Sequence, residues 1–171
     1  MQTSTAKQRI SEFKRIRAGV KAGTVTIQEV DKFWNSSIKY KTDMAQFGAR
    51  DYWQSPIETL TNGRGDCEDI AIGKFFTLVG FHDVYLCYCS VQISKVKIEM
   101  HMTCLVRKKR FFCINTDVNL DSQSRRITEI FRFNKINAMF RGRKSDNAVG
   151  INSWRTVMNR AENEAIMYGT H

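Results

Sequence analysis

Proline is almost missing from this 171-residue chain, with Pro56 the only one. Histidine is scarce, at positions 82, 101 and 171. The five cysteines, at 67, 87, 89, 104 and 113, include no Cys-x-x-Cys pair, and their odd number leaves one thiol outside any full set of disulfides. A zinc site of ordinary spacing and a disulfide scaffold are therefore both excluded as organising features. No apolar run approaches the ~20 residues of a membrane helix, so an integral membrane protein is not expected. The stretch from Met1 to Arg17 holds five basic residues and no apolar core of a signal peptide. On the sequence alone this points to a cytoplasmic chain, or to a secreted one whose targeting segment is not included. Repeats and low-complexity linkers are absent as well, which favours one domain over residues 1–171.

What is present is an ordinary globular composition, 42% hydrophobic and 26% charged, with a net charge of +10. That balance excludes disorder and suits an acidic partner. Basic residues cluster at Arg107-Lys108-Lys109-Arg110 and Arg141-Gly142-Arg143-Lys144. No helix-turn-helix or zinc-finger spacing accompanies either cluster, so nucleic acid is not expected as the partner.

Along the chain, Ile10, Phe13, Ile16 and Val20 predict a basic amphipathic helix over 7–21, within an N-terminal helical extension of residues 1–24. Thr26 and Glu29 form a capping box for a second helix with Ile27, Val30, Phe33 and Trp34 on its inner face. Residues 35–44 read as a connecting loop. After the turn Asn62-Gly63-Arg64-Gly65, an apolar helical pattern runs from Cys67 to Val79, with Gly80 as its cap. Strand patterns follow at 84–93, 100–107, 110–116 and 128–134, while 136–140 is ambiguous. A C-terminal helix over 153–168 presents Trp154, Val157, Met158, Ala161 and Ala165 inward. Helices first and an antiparallel sheet after them make an α+β chain.

The stretch Gly63–Phe76 organises the functional reading. Four cysteines lie in strand patterns, where a thiol is a small buried residue. Cys67 alone sits where a glycine-rich turn meets a helix start. Amide dipoles at a helix start favour a thiolate, so Cys67 is the candidate nucleophile, with a depressed pKa expected. The neighbouring Asp66, Glu68 and Asp69 read as charges complementing the helix N-terminus. Arg64-Gly65-Asp66 also spells the integrin-binding tripeptide, a chance match in front of a helix.

A thiol nucleophile needs an imidazole, itself oriented by a polar group. His171 is terminal and His82 lies in a loop, which leaves His101 at the start of a strand. If 100–107 and 110–116 form a hairpin turning at Lys108-Lys109, residues 101 and 116 stand opposite, and Asp117 comes one step beyond. Asp121 is the rival acid.

The blocks Asp51-Tyr52-Trp53-Gln54-Ser55-Pro56-Ile57-Glu58 and Gly65-Asp66-Cys67-Glu68-Asp69-Ile70-Ala71 resemble the bacterial transglutaminase-like cysteine proteinases. The similarity extends to Val30-Asp31-Lys32-Phe33-Trp34-Asn35 with Asp43, His101-Met102, Asp117, Arg125-Arg126 and Phe133-Asn134, about residues 25–140. It implies a papain- or transglutaminase-like fold, with the nucleophile at the N-terminus of a central helix packed on an antiparallel sheet. It also implies a Cys67, His101, Asp117 triad and a calcium ion beside the nucleophile on Asp66, Glu68 and Asp69. The family usually carries Leu-Asp-Asn at the triad acid, where this chain has Thr116-Asp117-Val118. The best-known branch is a periplasmic protease that releases large repeat adhesins and so controls biofilm attachment. That branch is restrained by an inner-membrane receptor for a cyclic dinucleotide, which implies a similar partner here. Two alternatives on the same residues are glutamine amide transfer and a catalytically silent binding module with a basic surface.

Overall fold

Apolar residues every three or four positions put one stripe of the first helix in the core. In the computed structural model that helix is α1 (Ser4–Ala22), and Ile10, Phe13, Ile16 and Val20 are all buried. The structure describes residues 4–106, 111–113, 127–140, 143–145 and 152–168. Asp117, its rival Asp121, Arg125-Arg126, the basic run 107–110 and His171 lie outside the described residues.

Helix α2 (Ile27–Ser37) starts at the expected box: Glu29 N donates to Thr26 Oγ1 at 3.2 Å, and Thr26 N donates to Glu29 Oε2 at 2.8 Å. Its inner residues Ile27, Val30, Phe33 and Trp34 are buried. The loop expected over 35–44 is more structured than the sequence suggests. It contains the end of α2, strand β1 (Lys39–Tyr40) and the start of α3 (Asp43–Phe47). Helix α4 (Pro56–Asn62) was not expected either. Ser55 and Glu58 cap it reciprocally, and Pro56 fills the first turn, where no amide partner is needed. Gly63 closes α4 at φ +65°, a left-handed conformation that glycine adopts freely. Strand β2 (Arg64–Gly65) then pairs parallel to β1, with Tyr40 opposite Gly65.

The central helix is α5 (Cys67–Leu78), whose middle and end are almost wholly buried. A Cβ on Gly73 would lie 2.4 Å from the Trp34 ring, so a side chain there is excluded by close approach of the two helices. Val79, not Gly80, is the cap of α5; Gly80 follows at φ +92° and turns the chain into the sheet.

The sheet comprises β3 (Val84–Gln92), β4 (Ile98–Val106), β5 (Phe111–Cys113), β6 (Ile127–Phe133), β7 (Ala138–Phe140) and β8 (Arg143–Ser145). Their order is β5-β4-β3-β6-β7-β8, with every neighbouring pair antiparallel. The ambiguous stretch 136–140 thus supplies β7. Cys104 pairs with Cys113 and Val106 with Phe111, the register on which the expected hairpin rests. Strand alternation divides the side chains between two faces. Met102, Cys104 and Val106 join the main core with α5, whereas Cys87, Cys89, Val91 and Leu105 form a second cluster on the other face. Helix α6 (Asn152–Tyr168) closes the core with Trp154, Val157 and Ala161; the Trp154 ring meets Phe75 and Phe133 edge-on. No helix among the described residues is long and apolar enough to cross a membrane.

Candidate active site

The head of α5 is assembled by three short segments. Pairing of β1 with β2 carries the chain from Tyr40 past Gly65, which places Asp43, the first residue of α3, close to Asp66. Residues 52–54 form the third wall. Tyr52 N donates to Asp43 Oδ2 at 2.5 Å. Gln54 N donates to Asp69 Oδ1 at 2.8 Å, and Gln54 Nε2 donates to Asp69 Oδ2 at 2.5 Å. Asp66 N donates to Asp69 Oδ2 at 3.2 Å, fixing the turn that leads to Cys67.

Asp43, Asp66 and Asp69 are buried, and each offers a carboxylate oxygen within 4.8 Å of the others. Among the described residues no cation pairs with any of them. Asp69 is well supplied with donors, but Asp43 Oδ1 and Asp66 Oδ1 are buried with no hydrogen-bond partner. Burial first, then the charges of Glu68 and Asp69, push Asp66 up to about 9. Burial also raises Asp69 to about 7, against the donors from Gln54. Buried oxygens without partners normally cost several kcal/mol unless a donor or cation meets them. Calcium takes oxygen ligands at roughly 2.3–2.6 Å, so two ligands on one ion stand up to about 5 Å apart. The spacing and the open oxygens fit a cation of that kind.

The expected ligand set was Asp66, Glu68 and Asp69. Asp43 joins Asp66 and Asp69, and Glu68 stands between this cluster and the thiol: Cys67 Sγ donates to Glu68 Oε2 at 2.9 Å, and the Glu68 carboxyl also bonds the Asp66 side chain. The arrangement also leaves the integrin reading without an exposed aspartate, because Asp66 is buried. The depressed thiol pKa expected at Cys67 is not found. Burial, then the Glu68 charge and hydrogen bond, hold the thiol well above its usual range, outweighing the Met102 backbone amide that lowers it. Helix-start amides favour a thiolate only when no uncompensated carboxylate shares the site.

That Met102 contact places Cys67 against β4, one residue from His101. His101 Nε2 lies 3.3 Å from Glu99 Oε2, and its Nδ1 is buried without a partner. His101 pairs across the ladder with Cys89, on the face away from Met102. Among the described residues no hydrogen bond joins His101 to Cys67. Among the described residues Cys87, Cys89 and Cys104 form no disulfide and are fully buried.

Sequence reasoning assigned no role to Asp43 or Gln54. Asp43 lies far from Cys67 in sequence, and only the β1–β2 pairing brings it in. Gln54 is completely buried between Trp53 and Ser55, a position that becomes informative only with its two contacts to Asp69.

Comparisons with known proteins agree with this architecture. No curated protein matches the chain. Among solved structures, Legionella pneumophila LapG treated with EGTA is similar at a TM-score of 0.73 and 22% identity, covering 93% of this chain and 91% of that one. A further Legionella pneumophila LapG structure gives 0.72 and 23%, with the same coverage. The calcium-bound form gives 0.71 and 20%, covering 92% of each chain. The fold is shared at this level of identity. The family model described as bacterial transglutaminase-like cysteine proteinase matches residues 3–162, including α1 and most of α6. With nearly its whole length accounted for by that one model, the chain belongs to the bacterial transglutaminase-like cysteine proteinases.

Proposed function

We propose that this cysteine proteinase is a calcium-dependent endopeptidase acting through Cys67, His101 and Asp117. The observation that carries it is the position of Cys67. It is a thiol at the head of the buried central helix, touching the strand that bears His101 and walled by carboxylates with open oxygens. In this reading His101 gives up its contact with Glu99, turns past its strand to reach Cys67 Sγ and takes the thiol proton. The sulfur then attacks the peptide carbonyl, and the imidazolium returns the proton to the departing amine. A water molecule, deprotonated by the same ring, cleaves the thioester and restores the thiol. Asp117 orients the ring, and backbone amides at the head of α5 hold the oxyanion.

Asp43, Asp66 and Asp69 are the proposed calcium ligands; when bound, the ion supplies positive charge that offsets their field on the neighbouring thiol. The calcium-bound LapG structure supports this choice of ion. The +10 charge of the chain favours an acidic substrate, and a large repeat adhesin is the substrate class proposed. A role in biofilm detachment, a periplasmic location and restraint by a cyclic-dinucleotide receptor follow from the same branch of the family.

Incubation of the protein with an acidic repeat-adhesin fragment, with calcium or EGTA, tests the reading by N-terminal sequencing of the products. Wild type with calcium should yield a new N-terminus, and Cys67→Ala should not. Undiminished cleavage by Cys67→Ala would refute the assignment. Incorporation of a labelled amine without a new N-terminus would point to amide transfer through the same thioester.

A further inference from the structure

The acidic site is held from a distance by the C-terminal helix. Residues 52–54 run without helix or strand pairing of their own, yet the backbone of each is engaged by a side chain from elsewhere in the chain. Here the Tyr52 and Gln54 amides donate to Asp43 Oδ2 and Asp69 Oδ1. The Trp53 carbonyl between them accepts from Arg160 Nη2.

Arg160, on α6, makes two further contacts to this segment and one to Glu58 of α4. Its Nη1 donates to Tyr52 Oη at 2.8 Å and to Glu58 Oε2 at 2.7 Å, and its guanidinium lies 5.0 Å from the centre of the Tyr52 ring. Tyr52 Oη in turn donates to Glu58 Oε1 at 2.7 Å, which closes a ring of three side chains. One turn further along α6, Glu164 accepts from Ser55 Oγ, and from Ile57 N at 3.3 Å. A planar fork that serves a carbonyl, a hydroxyl and a carboxylate together is work that lysine's single ammonium does not reproduce.

We propose that Arg160 is a positioning residue for the cation site and for the nucleophile turn. By holding the Trp53 carbonyl and the Tyr52 hydroxyl, it aims the Tyr52 and Gln54 amides at Asp43 and Asp69. Asp69 in turn holds the Asp66 amide, and Asp66 precedes Cys67. Affinity for the cation and the geometry before Cys67 are therefore coupled to the docking of α6, about a hundred residues away in sequence. The part concerning the cation rests on the calcium reading above; the part concerning the two amides does not.

Two measurements on the full chain test this. The first is calcium affinity by calorimetric titration of wild type, Arg160→Lys, Arg160→Met and Tyr52→Phe. The second is amide hydrogen exchange at Tyr52, Gln54 and Asp66 in EGTA. We expect calcium binding at least tenfold weaker in Arg160→Lys and Arg160→Met, and severalfold weaker in Tyr52→Phe, with faster exchange at all three amides. Exchange at Val30 and Leu78, remote from the clamp, should stay unchanged. Where Arg160→Met does not fold, Arg160→Lys and Tyr52→Phe decide. Unchanged exchange at Tyr52 and Gln54 in these variants overturns the proposal, as does unchanged affinity in variants whose wild type binds calcium. If wild type binds no calcium, the calcium reading fails by itself and exchange alone decides the role of Arg160.

Discussion

The two parts of α5 meet the same problem, buried charge, with opposite solutions. In the middle of the helix Lys74 is completely buried, and its Nζ lies 2.7 Å from Asp31 Oδ1. One turn on, Thr77 Oγ1 accepts from Trp34 Nε1 at 2.9 Å and donates to the Gly73 carbonyl at 2.7 Å. At the head, Asp43, Asp66 and Asp69 converge with no cation, and two of their oxygens face no donor. The same helix thus meets one buried charge with an opposite charge and, among the described residues, leaves the three acids at its head with none. Perturbed, uncompensated groups of this kind mark functional sites. The difference separates the part of α5 that builds the core from the part to which the proposed chemistry is assigned.

Making the neutral part resemble the head should cause the largest stability change. Lys74→Ala leaves Asp31 without its cation and opens a void, so a loss of about 3–5 kcal/mol is expected from denaturant unfolding. A loss below ~1 kcal/mol would show that this pair is not neutralising the helix. Making the head resemble the neutral part should have the opposite sign. Asp66→Asn removes one of three crowded carboxylates and offers an amide to the others. In EGTA it should therefore raise stability by about 1–2 kcal/mol while abolishing calcium binding. Destabilisation in EGTA would mean that the acids hold the fold rather than a cation. Thr26→Ala acts at a capping box remote from both regions and should cost about 1 kcal/mol with calcium affinity unchanged. A change in calcium affinity there would spoil the contrast.

What could be read from the sequence follows the reach of each physical signal. The Thr26–Glu29 box, the stripe of α1 and the thiol at the head of α5 are local patterns, and all appear in the structure. Ser55-Pro56-Ile57-Glu58 is a box of the same kind, so α4 was within reach of the rule that located α2. The five-residue α3 was not, because its place is set by the β1–β2 pairing and by Tyr52. The acids beside Cys67 were visible, but not that Asp43 joins them or that Glu68 also accepts from the thiol. The high pKa of Cys67 was equally out of reach, since it comes from burial and from the direction of one carboxylate. Asp117, the proposed triad acid, lies outside the described residues, so that part of the proposal rests on the expected hairpin and on the family resemblance.

The most direct test of the account is the alkylation rate of each thiol, followed by mass spectrometry of peptides after brief exposure to iodoacetamide near neutral pH. With calcium present, Cys67 should react at least tenfold faster than Cys87, Cys89 and Cys104, and EGTA should remove that advantage. A Cys67 no faster than those buried thiols under either condition would contradict a calcium-supported nucleophile at the head of α5.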